Sequence, residues 1–476
     1  MQRLDIRRQH TNSFATHCLV SGKREAPALE TIWLEVALSA SQPKPTQESM
    51  SYLIGIDDTD SRFGHCTTHL GYLIACKLTR IGCTFSTYPR LVRLNPNIPF
   101  KTRGNAAVCI EFEADSGRLR DGAFRAAERL LEIEADVANG ANAALVMVSK
   151  DAGDDLTFCR EVYQKAVNGV VSFKSVASTV SSLGIRHKLL GNGMGIVGAV
   201  ASLGLSPARD DHTYELLSYR KPENCGTRRA VEPSSVKEME AETFPHTFNS
   251  YDHESGRVLI APTGPDPVLA GVRGDSPEAV LDAFRKIRIG EEALGHIVYA
   301  TNQCTDAHLM SRLSTPLSAY SAGWLEGVIV SANPSQGGHL MLELGVDCST
   351  VNCMVYEPSG DLIRVARVLS PGDTVRISGG VRRASSKNPA VINVERIDVV
   401  SISHEARKRE AFRAAATRVN PGTYLPSPRA QRHLTKQLIR YGREHTGMNA
   451  LVNGWVTRPS KSRPEQLLTT SKVLAR

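Results

Sequence analysis

The sequence predicts a multidomain α/β protein that also carries a small β-barrel and a basic C-terminal tail. Its 476 residues are too many for one ordinary domain, and at roughly 150 residues per domain about three are expected. From Met50 onward, an apolar strand precedes a segment with helical spacing, an order typical of α/β domains. Between residues 320 and 402, short β-like runs alternate with turn residues, which predicts an OB-fold.

The composition permits an anionic partner without requiring one. The chain carries 57 basic and 49 acidic residues, a formal charge of +8 and a pI near 8.9. Its ten cysteines include no C-x-x-C pair, so we expect reduced, mostly buried thiols and no structural zinc. There is neither a signal peptide nor an apolar run of about 18 residues, which predicts a cytoplasmic protein without a membrane span.

Residues 1–49 show no sustained hydrophobic periodicity and include the polar stretch SQPKPTQES. They are predicted to be a disordered extension or an artefact of the assigned start. Met50 directly precedes the first convincing strand and is the expected natural start.

An acidic turn after the first strand is the strongest candidate for chemistry. The apolar residues 52–56 lead directly into Asp57, Asp58 and Asp60, so a buried strand would deliver three acids to one edge of a sheet. Acids spaced this closely repel one another unless a cation offsets them, which makes them candidate Mg²⁺ ligands. The alternative interpretation is a solvated loop with capping residues.

Two threonines follow this turn at the start of a predicted helix. Gly64 permits a turn, after which apolar residues recur at helical spacing through Leu70, Leu73, Ile74, Leu78 and Ile81. Thr67 and Thr68 would therefore lie at a helix N-terminus, where free N–H groups and the helix dipole favour phosphate.

A basic loop is the expected partner of the acidic turn. The strand predicted for residues 83–94 contains Arg90 and leads into NPNIPFKTRGN, residues 95–105, which present Lys101 and Arg103. A strand-helix-strand-loop-strand order can bring this loop beside the carboxylates, where cations would offset phosphate charge.

A glycine-rich segment, GNGMGIVGA at residues 191–199, has a formal G-x-G-x-x-G spacing that includes Gly193 and Gly195. It lacks the acid expected about 20 residues later in a dinucleotide site, and it lacks the G-K-[ST] ending of a P-loop. A structural turn and a substrate-contacting loop both remain open from the residues alone.

Five segments stand out in order along the chain. The first contains GIDDTDS, G-x-C-T-T and PRLVRLNPNIPFKTRGN, and the others are GNGMGIVGA (191–199), APTGPDPVLAGVRG (261–274), TNQCTDAHL (301–309) and PSPRAQRHLTK (426–436). Together they resemble the archaeal tRNA-isoleucine 2-agmatinylcytidine synthetase (TiaS) family over about residues 50–440.

The resemblance implies an ATP-dependent ligase that forms a carbon–nitrogen bond. In this family, phosphorylation from ATP activates the wobble cytidine of a CAU-anticodon isoleucine tRNA, agmatine replaces the oxygen on C2, and the tRNA then reads AUA. The implied partners are this tRNA and agmatine, without DNA or a membrane. Members phosphorylate their own threonine in G-x-C-T-T, which corresponds to Thr67.

The resemblance also implies residue roles. Asp57, Asp58 and Asp60 would hold Mg²⁺ on ATP, or one of them would act as a general base. Contacts with ATP and its phosphates are expected from Thr68, Arg90, Lys101, Arg103, Gly193 and Gly195.

The domains implied are a cytidine-kinase-like catalytic domain at 50–166, a ferredoxin-like domain at 167–300 and the OB-fold at 320–402. Family members usually continue with a zinc ribbon that has two C-x-x-C pairs. Here no cysteine follows Cys353, so residues 403–476 are predicted to be a basic helix and tail in its place.

Further residues are candidates for the two larger substrates. Protonated agmatine needs carboxylates, and the candidates near the family segments are Asp252, Asp266 and Asp306, each of which also suits a turn. The residues predicted to contact tRNA phosphates are Arg376, Arg382, Arg383, Arg429, Arg432 and Lys436.

Two other functions remain open from the sequence. One is a metal-dependent phosphotransferase that uses the acidic turn on another substrate. The other is a tRNA-binding paralogue without catalytic activity, which the missing ribbon would fit and the intact acidic and threonine segments oppose.

Overall fold

The computed structural model describes residues 49–102, 104–252, 256–359, 361–386 and 388–403, together with the backbone of Gly422–Tyr424. Within these ranges the chain is a mixed α/β protein with three β-sheets. None of the helices described there is both long and apolar enough to cross a bilayer. The predictions for residues 1–48 and for the basic helix and tail lie outside the described residues.

The first part of the chain alternates strands and helices. The strands are β1 (Met50–Asp57), β2 (Arg90–Arg93), β3 (Ala106–Ala114), β4 (Ala144–Ser149), β5 (Arg186–Leu189), β6 (Thr213–Arg220), β7 (Thr247–Phe248), β8 (Tyr251–Asp252), β9 (Arg257–Val258), β10 (Val268–Gly274) and β11 (Ala293–Thr301). The helices are α1 (Thr67–Arg80), α2 (Gly117–Glu134), α3 (Gly153–Asn168), α4 (Phe173–Ser182), α5 (Ile196–Gly204), α6 (Pro233–Thr243) and α7 (Pro277–Lys286).

Nine of these strands form one sheet in the order β5–β4–β1–β3–β2–β11–β6–β10–β7, while β8 and β9 pair separately. The strands β2 and β11 are parallel and join the two halves of the sheet. The other neighbouring pairs are antiparallel. As a result β1, β2 and β11 all end at the same sheet edge, where the acidic turn, the loop 95–105 and the segment 302–309 follow them.

The helix α5 packs closely against β1. A Cβ atom at Gly55 would overlap the carbonyl oxygen of Ala199, so only glycine allows this approach of strand and helix. The apolar side chains of Val176 and Ile196 belong to the same core as Leu53. The packing therefore does not divide at residue 167, where the sequence suggested a domain boundary.

From its polar composition, the segment 221–245 is expected to be a surface excursion. It contains the helix α6 instead. Val236 and Met239 of this helix are buried in a core with Val280 of α7, so two apolar side chains one turn apart were enough to anchor a mainly polar segment.

The last part of the chain is a β-barrel. Its elements are β12 (Ala322–Pro334), β13 (Leu340–Val346), β14 (Ser349–Val355), α8 (Asp361–Ala366), β15 (Thr374–Arg382), β16 (Val391–Ser401) and β17 (Gly422–Tyr424). The sheet order is β14–β13–β12–β15–β16–β17, and an additional pairing of β14 with β16 closes it.

The run IRVARVL, residues 363–369, is one of the β-like runs that predict the barrel, because its branched residues favour a strand. Its first residues, 363–366, belong to the helix α8 instead. Leu362, Ile363, Val365 and Ala366 are buried in the barrel core, and this spacing suits a single helical face between β14 and β15. Tertiary packing has overridden local propensity here.

Candidate active site

The acidic turn is fixed in place by residues far away in sequence. Asp57 ends β1, and Asp58 has a left-handed backbone conformation with φ of 55°. The hydroxyl of Ser61 donates to Asp136 Oδ2 at 2.5 Å, and the Asp136 N–H donates to the carbonyl oxygen of Thr59 at 3.1 Å. This support, which has no pattern in the sequence, fixes the backbone that carries the three carboxylates.

A cavity of about 250 Å³ lies at the end of β1. The carboxylates Asp57, Asp58 and Asp60 line it together with Lys101 of the basic loop. The predicted proximity of acidic turn and basic loop is therefore confirmed, while Arg103 lies outside the described residues. The remaining lining is mainly apolar and includes Leu94, Ile98, Phe100, Val170, Val171, Phe173, Met194 and Val197.

The glycine-rich segment forms another wall of this cavity. Gly195 and Gly198 line it, and a Cβ atom at Gly198 would overlap the carboxylate of Asp57. The Gly195 N–H donates to the carbonyl oxygen of Asn142 at 2.9 Å. Gly193 is not among the lining residues, and its φ of 72° forms the turn. Direct contact with the acids is thus a physical reason for glycine at Gly198, a residue absent from the predicted site.

Burial and mutual repulsion disfavour the charged forms of Asp57 and Asp58. Burial, reinforced by the neighbouring charges of Asp58 and Asp60, raises the pKa of Asp57 well above its usual value. Burial and the charge of Asp60 likewise raise the pKa of Asp58 to about 6, against hydrogen bonds from Asn142. A cation would relieve both effects, and Asn142 is a supporting residue that sequence reasoning missed.

The donor set fits a hard divalent cation that shares its coordination with a substrate. In the described part of the chain, no group of three or more Asp, Glu, His or Cys side chains is arranged to hold one metal ion. Asp57, Asp58 and Asp60 share a cavity, and their joint ligation of a metal stays a prediction. Mg²⁺ typically takes one or two carboxylates and completes its shell with water and phosphate oxygens, which these residues allow.

Thr67 and Thr68 begin α1 as predicted, but neither is among the residues lining the cavity. The hydroxyl of Thr67 lies 3.1 Å from that of Thr59 in the acidic turn, and only 6% of Thr67 is exposed. The hydroxyl of Thr68 lies 3.0 Å from Cys66 Sγ. Thr67 is therefore next to the acids through Thr59 and does not itself face the cavity.

Arg90 does not have the position predicted for a phosphate ligand. It is buried in β2, forms an ion pair with Glu111 and donates to the carbonyl oxygen of Leu205 at 3.0 Å. Lys150 also contacts Glu111, at 2.5 Å. A buried charge without a partner costs folding free energy, so Arg90 and Glu111 each offset the charge of the other inside the sheet.

With this geometry established, comparison with known proteins is decisive. The isoleucine-tRNA 2-agmatinylcytidine synthetase TiaS of Cenarchaeum symbiosum is 35% identical over 424 residues, covering 82% of this chain and 93% of that protein. The chain belongs to the TiaS family. Family models described as the TiaS TCKD domain and the TiaS FLD domain match residues 53–124 and 193–308 of this TiaS-family protein.

Solved TiaS structures have the same fold. The complex of TiaS with its isoleucine tRNA and ATP matches with a TM-score of 0.70 and 28% identity, covering 86% of this chain and 100% of that one. The complex of TiaS with the same tRNA, AMPCPP and agmatine matches with a TM-score of 0.69, 28% identity and the same coverage.

None of the three acids predicted to bind agmatine is among the residues that line the cavity in this TiaS-family protein. Asp266 lies 3.4 Å from Arg229 Nη2 and accepts from the Val268 N–H at 3.2 Å, as a turn-forming aspartate does. Asp306 Oδ2 lies 3.5 Å from Arg396 Nη1 in the barrel. Asp252 is fully buried in β8.

The buried side chain of Glu240, close to Asp252, should make the free energy of unfolding depend on pH. Burial, with a smaller effect of Asp252, raises the pKa of Glu240 to about 7 from 4.5. Because the folded state holds the proton more tightly, stability falls as the pH rises from about 4.5 to 7. We expect Glu240→Gln, measured by urea unfolding, to match the wild type near pH 4.5 and to be more stable by about 2–3 kcal/mol at pH 8.

Glu242→Gln is a matched control for this measurement, because Glu242 lies on the same helix with 61% of its side chain exposed. It should show no comparable pH dependence. A stability difference between Glu240→Gln and wild type that is the same at every pH would contradict the assignment of this ionisation to Glu240.

The residues predicted to contact tRNA are only partly described in this TiaS-family protein. Arg376 on β15 stacks over Trp324, 4.5 Å from the ring centroid, and pairs with Glu326 at 2.8 Å. Its charge is thus partly neutralised within the barrel. Arg382 ends β15 and Arg383 is exposed just after it, while Arg429, Arg432 and Lys436 lie outside the described residues.

Proposed function

We propose that this protein joins agmatine to C2 of the wobble cytidine in the CAU-anticodon isoleucine tRNA, using ATP and forming 2-agmatinylcytidine for AUA decoding. The observation that carries the proposal is the single cavity in which the acidic turn, the basic loop and the glycine-rich segment meet. Relatives with the synthetase name and solved TiaS complexes with isoleucine tRNA, ATP and agmatine support it. The proposed place of the reaction is the cytoplasm.

The polar side of the cavity suits ATP phosphates. Asp57 and Asp58 would hold Mg²⁺, which when bound neutralises phosphate charge and aligns the transferred group. Lys101 adds a positive charge from the loop, and the backbone at Gly195 leads into α5, where free N–H groups favour anions. Asp60 remains a candidate general base for the incoming amine.

The apolar side of the cavity suits a nucleobase ring. Phe100 lines the cavity and is 64% exposed. Stacking of a base on an exposed aromatic ring contributes about 1–3 kcal/mol to binding. Phe173 and Met194 extend this apolar lining. Exclusion of water by these side chains would protect an activated base from hydrolysis.

The reaction divides into two steps. Transfer of a phosphoryl group from ATP to O2 of cytidine turns a poor leaving group into a good one. The primary amine of agmatine then forms the bond to C2, the C2–O2 bond breaks, and the oxygen leaves with phosphate while the amine loses its proton. Thr67 is the proposed site of self-phosphorylation, which requires its contact with Thr59 to open.

The strand orders support specific domain assignments. We assign a ferredoxin-like domain to β6, α6, β7, β10, α7 and β11, whose strands lie in the order β11–β6–β10–β7 expected for that fold. We assign an OB-fold to the barrel, in which β14 and β16 close a five-stranded sheet and α8 follows the third strand. The residues before β6 are assigned to the kinase-like catalytic domain.

Mass spectrometry of the anticodon nucleoside tests the function. The protein is incubated with ATP, agmatine and unmodified CAU-anticodon isoleucine tRNA, and Thr67→Ala is treated in parallel. We expect cytidine to gain the mass of agmatine minus water with the wild type, and the yield to fall at least tenfold with Thr67→Ala.

The other outcomes separate the alternatives. ATP hydrolysis that does not depend on tRNA, without a modified nucleoside, would favour a phosphotransferase acting on another substrate. Binding of tRNA without ATP turnover would favour a paralogue that has become a binding protein.

A further inference from the structure

The loop that follows β2 is attached to the barrel through asparagine side chains. Asn95 is fully buried, and its Nδ2 donates to the carbonyl oxygens of Tyr320 at 2.7 Å and Gly169 at 3.1 Å. Its backbone N–H donates to the carbonyl oxygen of Ala166 at 2.8 Å. Ala166 and Gly169 line the cavity, so one residue connects a cavity wall to the segment that enters the barrel.

Asn97 extends this connection into a barrel strand. Its Nδ2 donates to the carbonyl oxygen of Val381 in β15 at 2.7 Å, and its backbone N–H donates to Asn95 Oδ1 at 2.9 Å. The same Val381 oxygen accepts from the Tyr320 N–H at 3.0 Å. The attachment therefore reaches the hydrogen-bonded framework of the barrel and does not stop at a linker.

The other end of the loop forms part of the cavity. Asn105 Nδ2 donates to the carbonyl oxygen of Asn95 at 2.9 Å, and the Leu94 N–H donates to the carbonyl oxygen of Asn105 at 2.8 Å, which closes the base of the loop. Phe100 and Lys101, between these bonds, line the cavity. A shift of the barrel relative to the sheet would thus move groups that face the proposed ATP site.

A second attachment holds the barrel at the same sheet edge. His308, in the segment after β11, lies with its Nε2 3.1 Å from Glu395 Oε2 of β16, and both side chains are buried. Asp306 pairs with Arg396 nearby. Since β2 and β11 are parallel neighbours, both attachments follow adjacent strands, and the barrel is held at two points on one rigid element.

We propose that Asn95 and Asn97 are positioning residues that couple tRNA binding at the barrel to ATP binding in the cavity. This inference rests on the proposed function. Binding of tRNA selects the barrel position in which the loop presents Phe100 and Lys101 to the cavity, and that arrangement binds ATP more tightly. Because such coupling is reciprocal, ATP strengthens tRNA binding by the same factor.

The test measures the affinity for a non-hydrolysable ATP analogue, AMPCPP, with and without saturating unmodified CAU-anticodon isoleucine tRNA. For the wild type we expect at least a fivefold tighter Kd with tRNA. In Asn97→Ala the bond to Val381 is lost, and in Asn97→Asp an acceptor replaces the donor at similar volume. Both variants should reduce the ratio of the two Kd values to below twofold.

Asn333→Ala is the matched control, because it removes an asparagine hydrogen bond on the exposed end of β12, from Nδ2 to Ser331 Oγ at 2.9 Å. Its Kd ratio should equal that of the wild type. An unchanged ratio in both Asn97 variants would overturn the coupling, as would a wild-type ratio of one with both ligands bound. Failure of the wild type to bind tRNA or AMPCPP would instead count against the proposed function.

Discussion

Asp58→Asn will nearly abolish agmatine transfer while making the folded protein more stable. The variant loses a carboxylate that lines the cavity and is proposed to hold Mg²⁺. Loss of such charge stabilisation costs about 3–4 kcal/mol in the transition state, or roughly a hundredfold to a thousandfold in kcat/KM. At the same time it removes a charge that burial and neighbouring acids disfavour, as the pKa of about 6 indicates.

The gain in stability of Asp58→Asn should depend on pH with a definite sign. Ionised Asp58 costs folding free energy at any pH above its folded pKa, so the variant should exceed the wild type by about 1–3 kcal/mol at pH 8 and by little near pH 4. Single-turnover assays and urea unfolding measure the two effects on the same samples.

An exposed acid provides the control for this pair of measurements. Asp154→Asn changes an exposed carboxylate in the first turn of α3, where it should lower stability slightly and leave activity unchanged. If Asp58→Asn retained more than a tenth of the wild-type rate, the assignment of Asp58 to the catalytic site would be wrong.

Gly198→Ala will inactivate the protein through steric displacement of Asp57. The added Cβ atom would overlap the Asp57 carboxylate, so either α5 or the acidic turn must move. We expect at least a hundredfold loss of kcat/KM and a destabilisation of about 1–3 kcal/mol, as overpacked sites typically show. Steady-state kinetics and urea unfolding measure these losses.

Two further variants separate this clash from other effects of the substitution. Gly122→Ala places the same methyl group on α2, where no atom lies within 4 Å, and it should stabilise the protein by about 0.5–1 kcal/mol. Asp57→Ala in the Gly198→Ala background should restore stability without restoring activity. If the double variant were as unstable as Gly198→Ala alone, the clash with Asp57 would not be the cause of the destabilisation.

The sequence predicted the strand and the helix on either side of the acidic turn well, because the signals for these elements are local. The apolar run before Asp57 indicates a strand, and the spacing of apolar residues from Leu70 to Leu78 indicates a helix. Each pattern lies within a few neighbouring residues, and β1 and α1 are found at these positions. A local signal is also present at the N-terminus of α7, where the hydroxyl of Ser276 caps the helix by accepting from the Ala279 N–H at 3.1 Å.

What the sequence could not predict depends on partners remote along the chain. Arg90 became a buried partner of Glu111 because β2 and β3 pair in one particular register. Asp136 bonds to Ser61 and Asn142 bonds to Asp58, and both supporting residues lie in the segment that follows α2, far along the chain from the acidic turn. The segment from residue 361 became helical because the barrel core required one apolar face there.

The parallel pairing of β2 with β11 has a consequence for dissecting this protein. Some two hundred residues separate these strands, yet Ala300 pairs with Arg90 and Thr301 with Leu91 in the middle of the sheet. A fragment ending before β11 would therefore leave one edge of β2 and one edge of β6 without a hydrogen-bonded neighbour, and unpaired strand edges favour aggregation. The parts of the chain on the two sides of this pairing should therefore be expressed and unfold together, and a search for a smaller active fragment should keep both.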